Sequence, residues 1–250
     1  MKHVISSISS ILMVLVAIAL TVYLAPKILD NFSPKYKTKD QFEKDILLYN
    51  AGELSSIILV KENDQLTYKQ YLDSMYIVYK RTVQNKQSDF TTEDERDREA
   101  AWDKLVTSIH VKSSFSSEMN IKLLLKSYYK FIKYLSGENA DDCANLAAGK
   151  NIPMEKYAAA DEYINQLRIS YIDGIKTPDL AEIQDIDKLY QQIIKPKEKL
   201  FSQNELSAME SLSSSNSDTL CSAYTKYLKI ILDANNSKST SFYRLLLRRN

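Results

Sequence analysis

Glycine is scarce in this chain, and that scarcity limits the folds that the chain can adopt. Only four of its 250 residues are glycine. A sheet protein of this length needs many tight turns, and those turns favour glycine because they place residues at positive φ. Helices joined by short loops need far less glycine. The sequence therefore predicts an all-α fold.

Pairs of residues three apart mark several helix starts. In a capping box, a Ser or Thr side chain accepts a hydrogen bond from the third residue of the helix, whose Glu or Gln side chain accepts one in return. Four pairs have this spacing: Thr38 with Gln41, Thr67 with Gln70, Thr92 with Glu95, and Ser202 with Glu205. Gly137 and Gly149 lie where helices are expected to end in a left-handed turn.

Apolar residues recur at intervals of three and four after residue 38, as they do on the buried face of an amphipathic helix. Residues 118–135 and 218–233 are apolar on more than one face, which predicts central helices. We expect about eight to ten helices. They would form one soluble, multi-helix domain over residues 39–250.

An uncharged apolar segment, residues 4–25, precedes this domain. As a helix it would be about 33 Å long, enough to span a ~30 Å hydrocarbon core. We interpret residues 1–25 as an uncleaved signal-anchor or transmembrane helix, followed by a short juxtamembrane linker over residues 26–38. The alternative is a signal peptide cleaved after Ala19, which would give a secreted protein. A cut there would leave a strongly apolar new terminus, and this favours the anchor.

The flanks of this segment give conflicting signals about its orientation. More lysines follow the segment than precede it, and by the positive-inside rule this pattern would keep the domain in the cytoplasm. However, Lys27 is balanced by Asp30 one turn later, and the three-residue N-terminal tail is typical of an export signal. We expect a periplasmic or otherwise extracytoplasmic domain, with a cytoplasmic domain as the alternative.

The chain has two cysteines, Cys143 and Cys221. In an oxidising compartment, a lone pair predicts one disulfide, and two buried free thiols are the alternative. Neither cysteine has a sequence neighbour that would activate it as a nucleophile.

Several chemistries lack the residues that they need. The dispersed glycines form no phosphate-binding loop, dinucleotide-binding motif or nucleophile elbow. His110 is the only histidine after the apolar segment, so we expect no metal and no cofactor. A net charge of +1 argues against nucleic acid as a partner. Carboxylate chemistry is the enzyme class hardest to exclude, although the acidic run at residues 93–99 suits the first turns of a solvated helix.

Two groups of residues are candidates for an interaction. The first is aromatic, since tyrosine is frequent here and is enriched at binding surfaces: Tyr76, Tyr128, Tyr129 and Tyr134. The second belongs to a basic, amphipathic C-terminus: Phe242, Arg244, Arg248 and Arg249. The alternatives are that the tyrosines pack in a core, and that the last helix docks on the core instead of lying on an anionic membrane.

Together these features predict a membrane-anchored helical protein-interaction module in the cell envelope, acting as a scaffold, an accessory subunit, or an inhibitor or immunity-type binding partner. Its partner would be another envelope or membrane protein. We expect binding and assign no catalytic residue. The alternative functions are an envelope hydrolase that uses a carboxylate pair, and membrane-surface binding through the basic C-terminal helix.

Overall fold

The computed structural model describes residues 36–49, 54–84, 91–150, 152, 157–179, 185–212 and 216–249. Within these ranges the regular secondary structure consists of helices, without a β-strand, so the predicted all-α class is confirmed. The α-helices are α1 (Lys39–Tyr49), α2 (Leu54–Asn63), α3 (Gln65–Gln84), α4 (Thr92–Ser113), α5 (Glu118–Glu138), α6 (Ala140–Ala147), α7 (Asp161–Lys176), α8 (Ile186–Ile193), α9 (Gln203–Glu210), α10 (Ser217–Ala234) and α11 (Ser237–Arg249). Short 3-10 helices, Ala158–Ala160 and Lys195–Leu200, precede α7 and follow α8.

The predicted anchor, residues 4–25, and residues 26–35 of the predicted linker lie outside the described residues. Among the helices that are described, none combines the length and the apolar character needed to cross a membrane.

The helix caps agree with the sequence in part. Gln41 and Thr38 form the predicted capping box before α1, with backbone-to-side-chain distances of 3.0 and 3.3 Å. Ser202 and Glu205 form the predicted box before α9. The box before α4 lies one residue earlier than predicted, between Thr91 and Asp94.

Two predicted boundaries are wrong. Thr67 lies inside α3, because the carboxylate of Asp64 accepts the Thr67 N–H at 3.2 Å and takes the capping role. Gly137 lies within the last turn of α5, which continues to Glu138. Gly149 does adopt the left-handed conformation after α6, with φ of 72°.

Two large hydrophobic clusters organise most of the helices. The N-terminal cluster contains buried residues of α1–α4, such as Ile57 and Leu105, together with Tyr171 of α7. The C-terminal cluster contains buried residues of α5, α6, α8, α10 and α11, together with Tyr163 of α7. Leu167, between those two tyrosines, packs against both clusters. Helix α7 is therefore shared by both halves of the fold.

A disulfide joins Cys143 of α6 to Cys221 of α10, with 5.5 Å between the Cα atoms. Both residues are buried in the C-terminal cluster. The predicted disulfide is therefore confirmed, and the alternative of two free thiols is wrong.

The turn between α4 and α5, residues 114–117, is held from two sides. From α7, the Asp173 carboxylate accepts hydrogen bonds from Ser116 Oγ at 2.7 Å, the Ser117 N–H at 2.8 Å and Asn120 Nδ2 at 2.7 Å. Burial opposes ionisation of this carboxyl, but the hydrogen bonds together hold its pKa well below the usual range. The carboxylate therefore stays charged and keeps α7 attached to the turn.

Helix α11 holds the same turn from the other side. Arg244 donates to the Ser114 carbonyl at 2.9 Å and to the Asp179 carboxylate at 2.7 Å. Arg248 donates to Ser114 Oγ at 2.7 Å, and its guanidinium lies 4.3 Å from the Phe115 ring centroid. Arg244 and Arg248 thus bind a turn of the protein itself, which agrees with the alternative that this helix docks on the core.

Candidate ligand-binding cavity

A cavity of about 890 Å³ lies where α4 faces α5, α7, α10, α11 and the end of α6. Its size falls within the roughly 300–1,000 Å³ typical of small-molecule sites. Four exposed residues of its lining mark the opening, namely Glu99 and Asp103 on α4, and Gly149 and Lys150 after α6. The remaining lining is mostly aromatic and aliphatic and leads into the C-terminal cluster.

Four tyrosines form the inner wall, and we call them the tyrosine cluster: Tyr128, Tyr163, Tyr224 and Tyr243. Their rings surround that of Tyr128, with centroid distances of 4.9 Å to Tyr163, 6.4 Å to Tyr224 and 6.4 Å to Tyr243. The hydroxyl oxygens of Tyr128 and Tyr224 are 3.3 Å apart, within hydrogen-bond distance.

The fold explains how these four side chains meet. Tyr224 follows the bonded Cys221 by three residues on α10, so the disulfide fixes the helix that carries it. Tyr243 lies between Phe242 and Arg244, which are only 1% and 4% exposed, so it points into the molecule with them. Tyr163 belongs to the first turn of α7, which packs on α5 beside Tyr128.

Two polar atoms of the wall have no hydrogen-bond partner among the described residues. They are the Tyr243 hydroxyl and the Nδ1 atom of His110, and both are buried. Buried polar groups in native proteins are nearly always bonded to protein or ordered water. Both residues line the cavity, but the two atoms themselves have almost no accessible surface, so a bound molecule would reach them only after these side chains move.

The polar groups of the wall are uncharged at neutral pH. Burial lowers the pKa of His110 to about 4, so its imidazole is neutral at pH 7. Burial, together with the neighbouring phenols, raises the pKa of Tyr128 and of Tyr243 well above the usual value. The wall therefore offers hydroxyl and imidazole hydrogen bonds without a fixed charge.

Trp102 also lines the cavity; it is next to Asp103 in the chain and three residues, about one helical turn, after Glu99. It is the only tryptophan of the chain. The same side chain lines a smaller cavity of about 370 Å³ against Tyr71 and Met75 of α3. Trp102 thus contributes to the lining of both the tyrosine-lined cavity and the smaller cavity next to α3.

The buried carboxylates lie elsewhere. Asp94 caps α4 and lies 3.5 Å from the Arg81 guanidinium, and Glu205 caps α9 and accepts from Lys226 Nζ at 2.8 Å. Burial opposes ionisation of Glu205, but bonds from Lys226, the Ser202 N–H and Ser222 lower its pKa to about 2. Neither residue lines the cavity.

Where side chains are described, no cluster of His, Cys, Asp and Glu could hold a metal ion. No observation therefore favours the carboxylate hydrolase.

The predicted aromatic residues do not form one exposed patch. Tyr128 is only 6% exposed and belongs to the cavity wall, contrary to that expectation. Tyr76 packs on Phe42 and Tyr79 and donates to the Lys37 carbonyl at 2.8 Å. Tyr129 is half-buried, whereas Tyr134 is 42% exposed near the end of α5.

The basic C-terminal residues are also not presented to solvent as one surface. Phe242 and Arg244 are buried, and Arg248 stacks on Phe115. The side chain of Arg249 lies outside the described residues. A membrane-facing role for Phe242 and Arg244 would require α11 to leave the core.

Most of the cavity could not be found from the sequence. Tyr163, Tyr224 and Tyr243 come from three helices, and no spacing links them to Tyr128. His110 lies in the last turn of α4, and no local pattern connects it with the other wall residues. Its actual place on the cavity wall depends on the packing of α11 against α4.

Comparison of the chain with family models, with curated proteins and with solved structures yields no match. The geometry of the cavity is therefore the basis for a functional proposal.

Proposed function

We propose that this chain is a membrane-anchored helical binding module of the cell envelope, and that its partner places a group in the tyrosine-lined cavity. One observation carries the proposal. The cavity has an open mouth and an aromatic wall, and that wall holds two buried polar atoms, Tyr243 Oη and His110 Nδ1, without partners among the described residues. This combination of apolar surface with a few convergent polar groups is typical of binding sites.

The chemistry of the wall favours binding over catalysis. A general base or nucleophile needs a pKa matched to its task or an activating neighbour. Burial instead raises the pKa of Tyr163 and of Tyr243, so these phenols remain protonated hydrogen-bonding groups.

The envelope location has separate support. A buried disulfide is typical of oxidising compartments, and the uncharged segment at residues 4–25 is long enough to anchor the chain. In this setting the partner would be another envelope or membrane protein, with this chain as its scaffold, accessory subunit or inhibitor.

Site-specific crosslinking in intact cells tests the proposal. Lys150 at the cavity opening is replaced by a photoreactive amino acid in the full chain, and exposed Lys126 on α5, outside the cavity lining, is replaced in a matched control. We expect a discrete adduct from position 150 that is absent from position 126.

A blocking variant connects the adduct to the cavity. Leu246→Trp fills the cavity, whereas Leu200→Trp adds the same ring at a position that is 53% exposed and outside the lining. The position-150 adduct should disappear with Leu246→Trp and persist with Leu200→Trp, both folded by circular dichroism. No adduct at position 150, or an adduct that survives Leu246→Trp, would overturn the proposal.

A further inference from the structure

We propose that the group bound in this cavity is an alkylammonium ion that also carries a hydroxyl or similar polar group. This inference rests on the proposed function and names the chemistry of what the cavity holds. It follows from the aromatic wall, the charges at the opening and the unmatched polar atoms inside.

The aromatic wall is suited to a cation. Five rings line the cavity, those of Trp102 and the tyrosine cluster. Ring faces carry negative electrostatic potential, and several rings around one volume attract ammonium groups, as in the aromatic cages that bind choline or methylated lysine. The tyrosine rings also pack on one another, with centroid distances of 4.9 to 6.4 Å between Tyr128 and the other three, and this packing holds the aromatic wall together.

The opening has an excess of negative charge. Glu99 and Asp103 lie one helical turn apart on α4 and both line the cavity, whereas Lys150 is the single lysine or arginine in the described lining. An anion entering here would pass two carboxylates. A cation would be attracted by them, and its attraction would fall with added salt.

The interior selects among cations. Val106, Leu146, Leu246 and Leu247 make much of the remaining lining aliphatic. A compact, strongly hydrated ammonium would lose its water there without replacement, whereas an alkylated ammonium holds its water weakly. The aliphatic surface therefore favours a group such as trimethylammonium.

The two unmatched polar atoms are the reason for proposing a hydroxyl or similar polar group on the ligand. Tyr243 is 98% buried, and its hydroxyl has no described partner; His110 presents an equally unmatched Nδ1. A hydroxyl can donate and accept at once, so one ligand hydroxyl is able to satisfy either atom. Choline has both required parts, and we use it as the probe.

Trp102 provides the measurement, because it is the only tryptophan and lines the cavity. The oxidised full chain, in detergent, is titrated with choline and with 3,3-dimethylbutan-1-ol, a neutral molecule of nearly the same shape. Tryptophan fluorescence and calorimetry follow binding. We expect choline to bind about tenfold more tightly than the neutral isostere. Equal affinities for the two, or no binding of choline, would overturn the inference.

Matched variants locate the binding. Glu99→Gln at the opening should weaken choline about two- to fivefold, and Tyr243→Phe should weaken it while leaving the fold intact. Glu162→Gln removes an exposed carboxylate of α7 that pairs with Lys130 outside the lining, and should have no effect. Unchanged affinity in both Glu99→Gln and Tyr243→Phe would reject the assignment.

A peptide with one trimethyllysine, compared with the same peptide carrying unmodified lysine, distinguishes the source of the ammonium. If the methylated peptide binds more tightly than choline, a protein side chain supplies the group; if choline binds more tightly, a small molecule does. Failure of all ammonium probes, together with an adduct at position 150 that Leu246→Trp abolishes, would overturn this inference alone. If the position-150 adduct persists with Leu246→Trp, the proposed function itself is overturned.

Discussion

The buried hydroxyl of Tyr243 and the buried guanidinium of the next residue differ in their hydrogen bonding. Its neighbour Arg244 is buried to a similar degree, yet donates to both Ser114 and Asp179. The fold therefore satisfies the charged group and leaves the phenol unmatched within the described residues. An unmatched buried hydroxyl costs stability, and its retention next to a cavity suits a role in binding.

Removing this hydroxyl should separate stability from binding. In Tyr243→Phe the ring stays in place and no described hydrogen bond is lost, so we expect the free energy of unfolding to stay equal or to rise by up to about 1 kcal/mol. Urea unfolding followed by circular dichroism measures the change. A loss of more than about 1 kcal/mol would mean that the hydroxyl is bonded within the fold.

His110 should make the stability of the protein depend on pH. In the unfolded chain its pKa is near 6.5, whereas burial lowers the folded value to about 4. Between these values the unfolded state binds more protons, so the free energy of unfolding falls as the pH decreases from 6.5 to 4. We expect this loss to be about 1–3 kcal/mol in total.

Comparison with His110→Gln isolates this contribution. The variant should show a smaller loss over the same range in urea unfolding at a series of pH values. Glu205 contributes in a lower window, because its pKa falls from 4.5 to about 2 and its stabilisation is lost as the pH falls below about 4.5. Parallel curves for the two proteins would contradict the assignment of His110.

At the level of elements, α7 packs against the end of α4 without room for a side chain. A Cβ atom on Gly174 would overlap the carbonyl oxygen of Lys112. The next residue N-terminal to this glycine is Asp173, which bonds the turn at residues 114–117. Close approach of the two backbones thus lets the carboxylate reach the turn.

Gly174→Ala should therefore be destabilising by about 1–3 kcal/mol, since the clash is with backbone and cannot be relieved by a rotamer change. Gly137→Ala is the matched control. Gly137 lies in α5, where an added Cβ meets no described atom within 4 Å, and alanine there should stabilise by about 0.5–1 kcal/mol. Thermal unfolding of both variants measures the contrast. Equal effects would show that α7 can shift away from α4.

The helices themselves were largely predictable from the sequence, whereas the parts of the fold that each helix packs against were not. Apolar spacing at three and four identifies a helix because the signal lies within one segment, and the box of Ser202 with Glu205 marks a helix start for the same reason. Asp64 replaced Thr67 as a cap because competing capping residues lie within one turn of each other. The docking of α11 depends on Ser114, which precedes Arg244 by 130 residues, and no local pattern records such a contact.

At the level of the whole molecule, the disulfide crosses the half that contains the cavity. Leu146 follows Cys143 by three residues and Tyr224 follows Cys221 by three, and both line the cavity. The bond therefore constrains two of the helices that form the wall. The N-terminal cluster contains no such crosslink, since both cysteines lie in the other half.

Loss of the disulfide should lower the stability of the C-terminal cluster more than that of the N-terminal cluster. For a loop of 78 residues the chain-entropy model gives about 4–5 kcal/mol as an upper value. The double variant Cys143→Ala/Cys221→Ala, compared with the oxidised chain, should show faster amide hydrogen exchange in α6 and α10 than in α2 and α3. Uniform acceleration across all helices would contradict this division.

The sharing of α7 between the two clusters has a consequence for the order in which the protein can be completed. A chain made from its N-terminus presents α1–α4 early, but their cluster lacks Tyr171 until α7 has emerged. Cys221 then has to appear before Cys143 finds its partner. Helix α11 is the last of the described helices and brings Tyr243, so the cavity wall is completed only after α1–α10 have been made. A chain that ended after α10 would retain most residues of both clusters while lacking Tyr243, Leu246 and Leu247 of the cavity wall.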